Sequence, residues 1–214
     1  MKIVTLFAFL FAASCQTQGS TEDSETAKNL PASQAYDPQK LDTATLAGGC
    51  FWCVEAAFEQ IKGVKEAVSG YSGGDAKTAD YKLVSSGRTG HAEAVQVMYD
   101  AAVIDFETIL DIFFTAHDPT QVDRQGNDIG PQYRSEIFYH NEEQRQIAVA
   151  KIDEIASDFS RPIATKLTAL DVFYEAEEYH QDYEKKNPYN GYIVNVSRPK
   201  IEKVARKFKE RLKE

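Results

Sequence analysis

The chain has 214 residues, of which 43% are hydrophobic and 27% are charged, a composition typical of a soluble domain with a sizeable core. Its formal net charge at pH 7 is -9. This charge disfavours a general nucleic-acid-binding role, because contacts to phosphates need a basic surface.

The N-terminal residues MKIVTLFAFLFAASC are typical of a secretory signal peptide, with one early lysine, an apolar run and small residues before Cys15. The apolar run from Ile3 to Ala13 is shorter than the roughly 20 residues that a membrane-spanning helix needs. We therefore predict a lipoprotein-type signal peptide over residues 1–14, with Cys15 lipidated after cleavage. The alternative is plain secretion with an unmodified Cys15.

Residues 15–40 are rich in Ser, Thr, Gln, Glu and Ala and contain almost no large aliphatic side chains. Such a segment cannot bury enough apolar area to offset the entropy lost on ordering. We predict a flexible linker over residues 15–40 and one folded domain over residues 41–214.

Hydrophobic spacing in that domain predicts helices and strands without a regular βαβ alternation, which indicates an α+β fold. The predicted helices are Phe51–Ile61, Phe106–Phe113, a helix capped by Asn141 and Gln144, and Ile201–Leu212. The predicted strands are Ala94–Tyr99, Ser135–Tyr139 and Ile163–Val172. Long irregular stretches between them, such as 69–90 and 117–134, are more often functional than not.

The segment GGCFWC at residues 48–53 holds the only tryptophan and two of the three cysteines of the chain. Cys50 follows two glycines and is predicted in the first turn of a helix. The partial positive charge of a helix N-terminus favours a thiolate there. Phe51 and Trp52 are predicted to form an apolar wall beside the sulfur.

The residues alone leave several interpretations open. Cys50, Cys53 and His91 could bind zinc with Glu93 as a general base, although no second cysteine pair completes the usual pattern. The pair could instead form a thioredoxin-like CxxC disulfide exchanger. Cys50 could also be a nucleophile that is oxidised during turnover, or both cysteines could be ordinary core residues.

The segment GGCFWCVEAAF resembles the active-site segment of the A-type peptide methionine sulfoxide reductases. Further segments resemble the same family in chain order: GYSGG at 70–74, SGRTGHAEAV at 86–95, HDPTQ at 117–121, RQGNDIGPQYRS at 124–135 and AEEYHQDY at 176–183. The resemblance covers most of the domain. It implies a two-layer α/β sandwich with a ferredoxin-like core. It also implies thiol-dependent reduction of methionine S-sulfoxide, free or in proteins, without a metal or cofactor.

The resemblance also implies roles for individual residues. Cys50 would attack the sulfoxide sulfur and become a sulfenic acid, while Glu93, with a pKa raised by burial, would donate a proton to the oxygen. The remaining implied site residues are Tyr81 and Tyr133 at the sulfoxide oxygen, Asp128 holding a water or a tyrosine, and Phe51 and Trp52 at the substrate methyl group.

The chain departs from the family where a distal cysteine usually removes the sulfenic acid, since Ser85 and Ile193 occupy the two corresponding places. Cys53 is therefore the predicted resolving thiol, and direct reduction by an external dithiol is the alternative. A disulfide between residues three apart requires a distorted first turn or a Cys50 that lies just before the helix.

The resemblance and the N-terminal segment together predict a protein-repair enzyme of the bacterial cell envelope. It would act as a monomer on the periplasmic side, anchored to the membrane through Cys15 and reduced by a thioredoxin-like partner. The rival functions are a CxxC disulfide oxidoreductase and a tethered protein that binds oxidised methionine without reducing it. The basic residues from Lys200 to Lys213 predict a solvated helix face.

Overall fold

The structure is a computed structural model that describes Met1 and residues 41–214. The predicted signal peptide, Cys15 and the linker lie outside the described residues, apart from Met1. Within the described part of the chain, no helix has both the length and the apolar character needed to cross a bilayer.

Residues 41–214 form one mixed α/β unit. Its strands are β1 Asp42–Gly48, β2 Val64–Ser72, β3 Ala92–Tyr99, β4 Arg124–Gln125, β5 Asp128–Ile129, β6 Ser135–Tyr139, β7 Lys166–Ala169 and β8 Phe173–Glu175. Its α-helices are α1 Phe51–Glu59, α2 Tyr81–Val84, α3 Phe106–Ala116, α4 Glu142–Ile155, α5 Tyr183–Lys186 and α6 Arg198–Lys207. A π-helical turn over Ile193–Ser197 leads directly into α6.

The main sheet has the strand order β7-β6-β1-β3-β2-β8. Its four central strands are antiparallel neighbours, α1 connects β1 to β2, and α3 lies between β3 and β6 in the chain. This is the connectivity of a ferredoxin-like core. The expected α+β class, with helices layered on a sheet, is therefore confirmed.

The core lies between the central strands and the helices α1 and α3. Leu46 in β1 pairs with Val95 on one side and Ile137 on the other, and all three side chains are buried. Phe58 and Phe113 cover this layer from the helices. The central strand β1 therefore fixes the position of the residues that immediately follow it.

Several predicted elements are confirmed, and the observed boundaries can be compared with the predicted ones. Strand β6 has the predicted bounds, and the Asn141 side chain caps α4 by accepting a 2.9 Å hydrogen bond from the backbone N–H of Gln144. The predicted strand 163–172 is shorter in the structure, at Lys166–Ala169. Strands β1 and β2 were not predicted, although they form the centre of the sheet with β3.

Candidate active site

Cys50 lies at the junction between β1 and α1. It is the N-cap of α1, one residue before the first turn in which it was predicted, and its backbone is not helical, with φ -58° and ψ 125°. Gly49 turns the chain with φ 96°, and a Cβ there would lie 2.7 Å from the Gln125 side chain. Glycine at this position therefore allows β1 to end in close contact with the strand β4 that carries Gln125.

Glu93 lies in β3 and faces the start of α1. Its Oε2 accepts a 3.1 Å hydrogen bond from the backbone N–H of Phe51, and the residue is 2% exposed. Burial raises the pKa of Glu93 to about 8, although the hydrogen bond from Phe51 opposes the shift. The carboxyl group is therefore mostly protonated at neutral pH, as a proton donor beside Cys50 must be.

The two cysteine thiols are buried together at the start of α1, and the backbone N–H of Cys53 donates to the carbonyl of Cys50 at 3.1 Å. Burial raises the pKa of Cys50, so the helix terminus does not make it the thiolate in this resting arrangement. The hydrogen bond from Cys50 lowers the pKa of Cys53 to about 6 against the effect of burial, and the charge of Lys200 contributes. The thiols thus share protons and titrate as a pair.

Trp52 forms an ordered aromatic surface beside the thiols. Its ring stacks on Tyr183 with a centroid distance of 3.7 Å and an interplanar angle of 8°. Its Nε1 donates a 3.2 Å hydrogen bond to Nδ1 of His180. Trp52 is half-buried, whereas Phe51 is buried behind it against Tyr71. Of the two side chains predicted to contact the substrate methyl group, only the indole of Trp52 is therefore accessible, and the ring of Phe51 supports it from behind.

Tyr81 and Tyr133 are both half-buried near Glu93. Burial raises the pKa of Tyr81 to about 12, and the negative charge of Glu93 is the next largest cause. The pKa of Tyr133 is raised by the same two causes in the same order. Both phenols therefore keep their protons at neutral pH. They lie close enough to Glu93 to interact with its charge, and they are available there as hydrogen-bond donors.

Asp128 is connected to the cysteine pair through Tyr192. The Tyr192 hydroxyl donates a 2.7 Å hydrogen bond to Oδ2 of Asp128 and lies 3.9 Å from Sγ of Cys53. The sequence predicts no role for Tyr192, which directly precedes Ile193 at one of the two places where the family has a distal cysteine. The position of Tyr192 beside Cys53 depends on the path of residues 183–197. No pattern in the neighbouring sequence predicts it.

The ligand set considered for zinc is not brought together. Nε2 of His91 is 3.0 Å from the backbone carbonyl of Asp75. Within residues 41–214, the one group of three potential ligand atoms that lie within 4.8 Å of one another comes from Glu55, Glu59 and Asp182. That group contains neither cysteine.

Other residues of the site were missed because they lie far from Cys50 in the chain. His180 and Tyr183 occur in the segment AEEYHQDY, so the resemblance indicated the segment but not their contacts with Trp52. Lys200 was assigned to a solvated helix face. In the structure its Nζ lies 3.9 Å from Sγ of Cys53, which corrects that prediction for this residue.

Comparisons with known proteins agree with this geometry. The family model described as "Peptide methionine sulfoxide reductase" matches residues 42–212. A protein of Natronomonas pharaonis named peptide methionine sulfoxide reductase MsrA is 51% identical over 172 residues, which are 79% of this chain and 97% of the relative.

Solved structures are similar as well. Mxr1 from Saccharomyces cerevisiae in its reduced form aligns with a TM-score of 0.69 and 37% identity, over 72% of this chain and 90% of that one. Mxr1 in complex with Trx2 aligns with a TM-score of 0.50 and 28% identity, over 71% of this chain and 91% of that one. Since the family match spans nearly all of the described residues and a relative aligned over 97% of its length is 51% identical, this chain belongs to the peptide methionine sulfoxide reductase family, A type.

Proposed function

We propose that the protein reduces methionine S-sulfoxide, free or in proteins, to methionine, and so acts as a peptide-methionine (S)-S-oxide reductase that repairs oxidised proteins. The observation that carries this proposal is the buried, protonated Glu93 next to Cys50 at the start of α1. A sulfoxide oxygen needs a proton as it leaves sulfur, and an acid with a pKa near the working pH supplies it efficiently.

In the first step, the sulfur of Cys50 attacks the substrate sulfur while Glu93 protonates the sulfoxide oxygen. The Cys50 thiol passes its proton to the Cys53 sulfur as the bond to the substrate sulfur forms. This sulfur–sulfur bond and the sulfur–oxygen bond of the substrate then break, and methionine is released. The hydroxyl group moves to the sulfur of Cys50, which becomes a sulfenic acid. Tyr81 and Tyr133 hydrogen-bond the oxygen, and the indole of Trp52 contacts the substrate methyl group.

In the second step, Cys53 attacks the sulfur of the sulfenic acid and a Cys50–Cys53 disulfide forms. The sulfur–oxygen bond on Cys50 breaks, and the oxygen leaves as water. Cys50 is the N-cap and its backbone is not helical, so the pair does not need to bridge two positions within a regular helical turn. Asp128 positions Tyr192 beside Cys53 during this step.

A thioredoxin-like dithiol then reduces the disulfide and restores both thiols. The similarity to Mxr1, whose structure in complex with Trx2 is known, supports a partner of this class. The competing function of a general CxxC disulfide exchanger is disfavoured, because such an enzyme needs neither a buried acid nor an aromatic surface at the thiols. An insulin-reduction assay distinguishes the two activities.

The proposal extends to the cellular location. The segment MKIVTLFAFLFAASC supports export and lipidation of Cys15, which would tether a monomeric domain on the periplasmic side of the bacterial envelope through residues 15–40. Labelling with radioactive palmitate in a bacterial host should mark the full chain and not Cys15→Ser. Labelling of neither would contradict lipidation, and size-exclusion chromatography of the Cys15→Ser chain should give a monomer.

A single-turnover reaction tests the activity. The fully reduced protein is mixed with an excess of each sulfoxide epimer without any reductant, methionine is quantified, and cysteine oxidation is mapped by mass spectrometry. About one methionine per protein from the S epimer alone, with Cys50 oxidised, is the expected result. The absence of methionine with either epimer would refute the proposal.

A further inference from the structure

The side chain of Lys200 is directed toward the cysteine pair from the opposite helix. Ile193, Ser197 and Val204 form a buried stripe along the π-helical turn and α6, and this helix packs against α1. Lys200 lies three residues after Ser197 and four before Val204, so it shares their face. It is half-buried, and its Nζ donates toward Sγ of Cys53 at 3.9 Å.

In the part of the chain that the structure describes, no carboxylate competes for Lys200. Among residues 41–214, the ion pairs involve other lysines and arginines, and no carboxylate lies within ion-pair distance of Lys200. A half-buried ammonium group without a carboxylate is stabilised by a nearby anion. The Cys53 sulfur is the group that can become this anion.

Ser197 supplies a second group at the same sulfur. It is 0% exposed, and its hydroxyl has no hydrogen-bond partner of ordinary geometry within the described chain. A hydroxyl can rotate, and that of Ser197 favours the thiolate form of Cys53. Tyr192 cannot serve in this way while it donates its only proton to Asp128.

We propose that Lys200 is the positioning residue for the resolving step: it holds Cys53 as a thiolate, with Ser197 as a second donor. This inference rests on the proposed function, because it assumes that Cys50 becomes a sulfenic acid. The Cys53 thiolate attacks the sulfur of that sulfenic acid, the disulfide bond forms and the sulfur–oxygen bond breaks. Hydroxide leaves and takes a proton from solvent.

The contribution of Lys200 is greatest after the first step. In the resting enzyme, Cys50 donates a hydrogen bond to Cys53 and lowers its pKa. When Cys50 is oxidised, that thiol proton is gone, and Lys200 and Ser197 remain. Within residues 41–214, the other ionisable groups near the pair include Glu93 from β3, Tyr192, and Tyr81 and Tyr133 beside Cys50. Buried His117 lies near Lys200 with a pKa lowered by burial to about 4, so it is neutral.

The test compares the full chain with Lys200→Met, Lys200→Arg and, as a matched control, Lys203→Met on the exposed side of α6. Every protein also carries Cys15→Ser, so Cys50 and Cys53 are its only thiols. Single turnovers with the S-sulfoxide are quenched over time, and methionine, trapped sulfenic acid and the Cys50–Cys53 disulfide are measured separately.

We expect Lys200→Met to slow disulfide formation at pH 7 by more than about threefold and at most about tenfold, while methionine release changes by less than about threefold and sulfenic acid accumulates. The pH midpoint of disulfide formation should rise by about one unit. Lys200→Arg should restore most of the rate, and Lys203→Met should match the parent. In a Cys50→Ser background, thiolate absorbance at 240 nm should show the same upward shift for Cys53.

Two outcomes overturn this inference alone: disulfide formation at the parent rate in Lys200→Met, or an equal slowing of methionine release and disulfide formation, which would indicate a structural role. Failure of the proposed function appears differently. In that case the parent protein itself releases no methionine, or releases it without forming the Cys50–Cys53 disulfide.

Discussion

The backbone N–H of Phe51 donates a 3.1 Å hydrogen bond to Oε2 of Glu93, so the first residue of α1 holds the acid of β3 in place. The same peptide follows Cys50 directly in the chain. One hydrogen bond therefore fixes the nucleophile and the proton donor relative to each other, and it occupies one carboxyl oxygen. The other oxygen remains available to carry the catalytic proton.

Replacing Glu93 with Gln should lower kcat/KM for the S-sulfoxide by about 10²–10⁴-fold, the usual contribution of a positioned general acid. Glutamine retains an oxygen that can accept from Phe51, so the loss should reflect the missing proton and not a displaced helix. Steady-state kinetics with a dithiol reductant measure the effect. More than about a third of the parent activity in a folded variant would contradict the role.

The parent enzyme should also lose activity as the pH rises through about 8, the pKa to which burial raises Glu93. The acid must be protonated to act, so the rate of methionine release falls about tenfold per unit above that pKa. Single-turnover rates between pH 6 and 10 test the direction. The Glu93→Gln variant should lack this decline, and a rate that increased throughout the range would exclude Glu93 as the donor.

Cys53→Ser should still release about one methionine per protein in a single turnover, because the first step needs only Cys50. With a thioredoxin reductant, repeated turnover should fall by about tenfold or more, since the reductant then meets a buried sulfenic acid instead of a disulfide. Mass spectrometry should find Cys50 trapped as the sulfenic acid. Turnover at the parent rate would show that an external dithiol acts directly.

Trp52→Phe should raise KM about tenfold and change kcat less. The indole is held by its stack on Tyr183 and by its hydrogen bond to His180, and phenylalanine keeps an apolar ring but loses that bond. Saturation kinetics with a peptide substrate separate KM from kcat. A fall in kcat with an unchanged KM would place Trp52 in the chemical step instead.

Gly49→Ala should destabilise the fold by about 1–3 kcal/mol and lower the single-turnover rate. The residue has φ 96°, and an added Cβ would lie 2.7 Å from Gln125. Gln125 cannot move freely, because its amide makes two hydrogen bonds with the backbone of Asp118. Gly191→Ala is the matched control, since no atom lies within 4 Å of a Cβ at that position. Equal urea stability of the two variants would contradict the expectation.

The contribution of Glu55 to the stability of the protein should fall as the pH rises from about 4.5 to 7. Burial raises the pKa of Glu55 from 4.5 to about 7, although hydrogen bonds from Ser69 and the backbone of Asp182 oppose the shift. In that range the folded state binds more protons than the unfolded state, so raising the pH favours unfolding. Glu93 adds to the same slope up to about 8.

Glu55→Gln should therefore reduce the loss of unfolding free energy between pH 4.5 and 7 by at most about 3 kcal/mol. Urea titrations at pH 5, 6, 7 and 8 measure it, and the exposed Glu66→Gln on β2 serves as the control. An identical slope in the parent and in Glu55→Gln would show that Glu55 does not carry the effect.

The sequence by itself determined those parts of the fold whose signal is local. The spacing of Phe106, Ile109 and Phe113 identified α3, and the Asn141 cap marked the start of α4 because its hydrogen bond spans only three residues. Strand β1 was missed because its residues, DTATLAG, are mostly small. Its last five residues are all buried, so the sequence lacks the alternation of apolar and polar residues that predicts a strand.

The sequence also determined the chemistry of the site, through Cys50, Glu93 and the order of the motifs that resemble one family. Only the tertiary structure decided which groups act on the second thiol. Lys200 is 147 residues from Cys53 in the chain. The sequence alone predicts that it lies on a solvated helix face, and only the packing of α6 against α1 brings it to Cys53. Contacts between distant segments depend on how whole faces pack together, and no local pattern of residues encodes them.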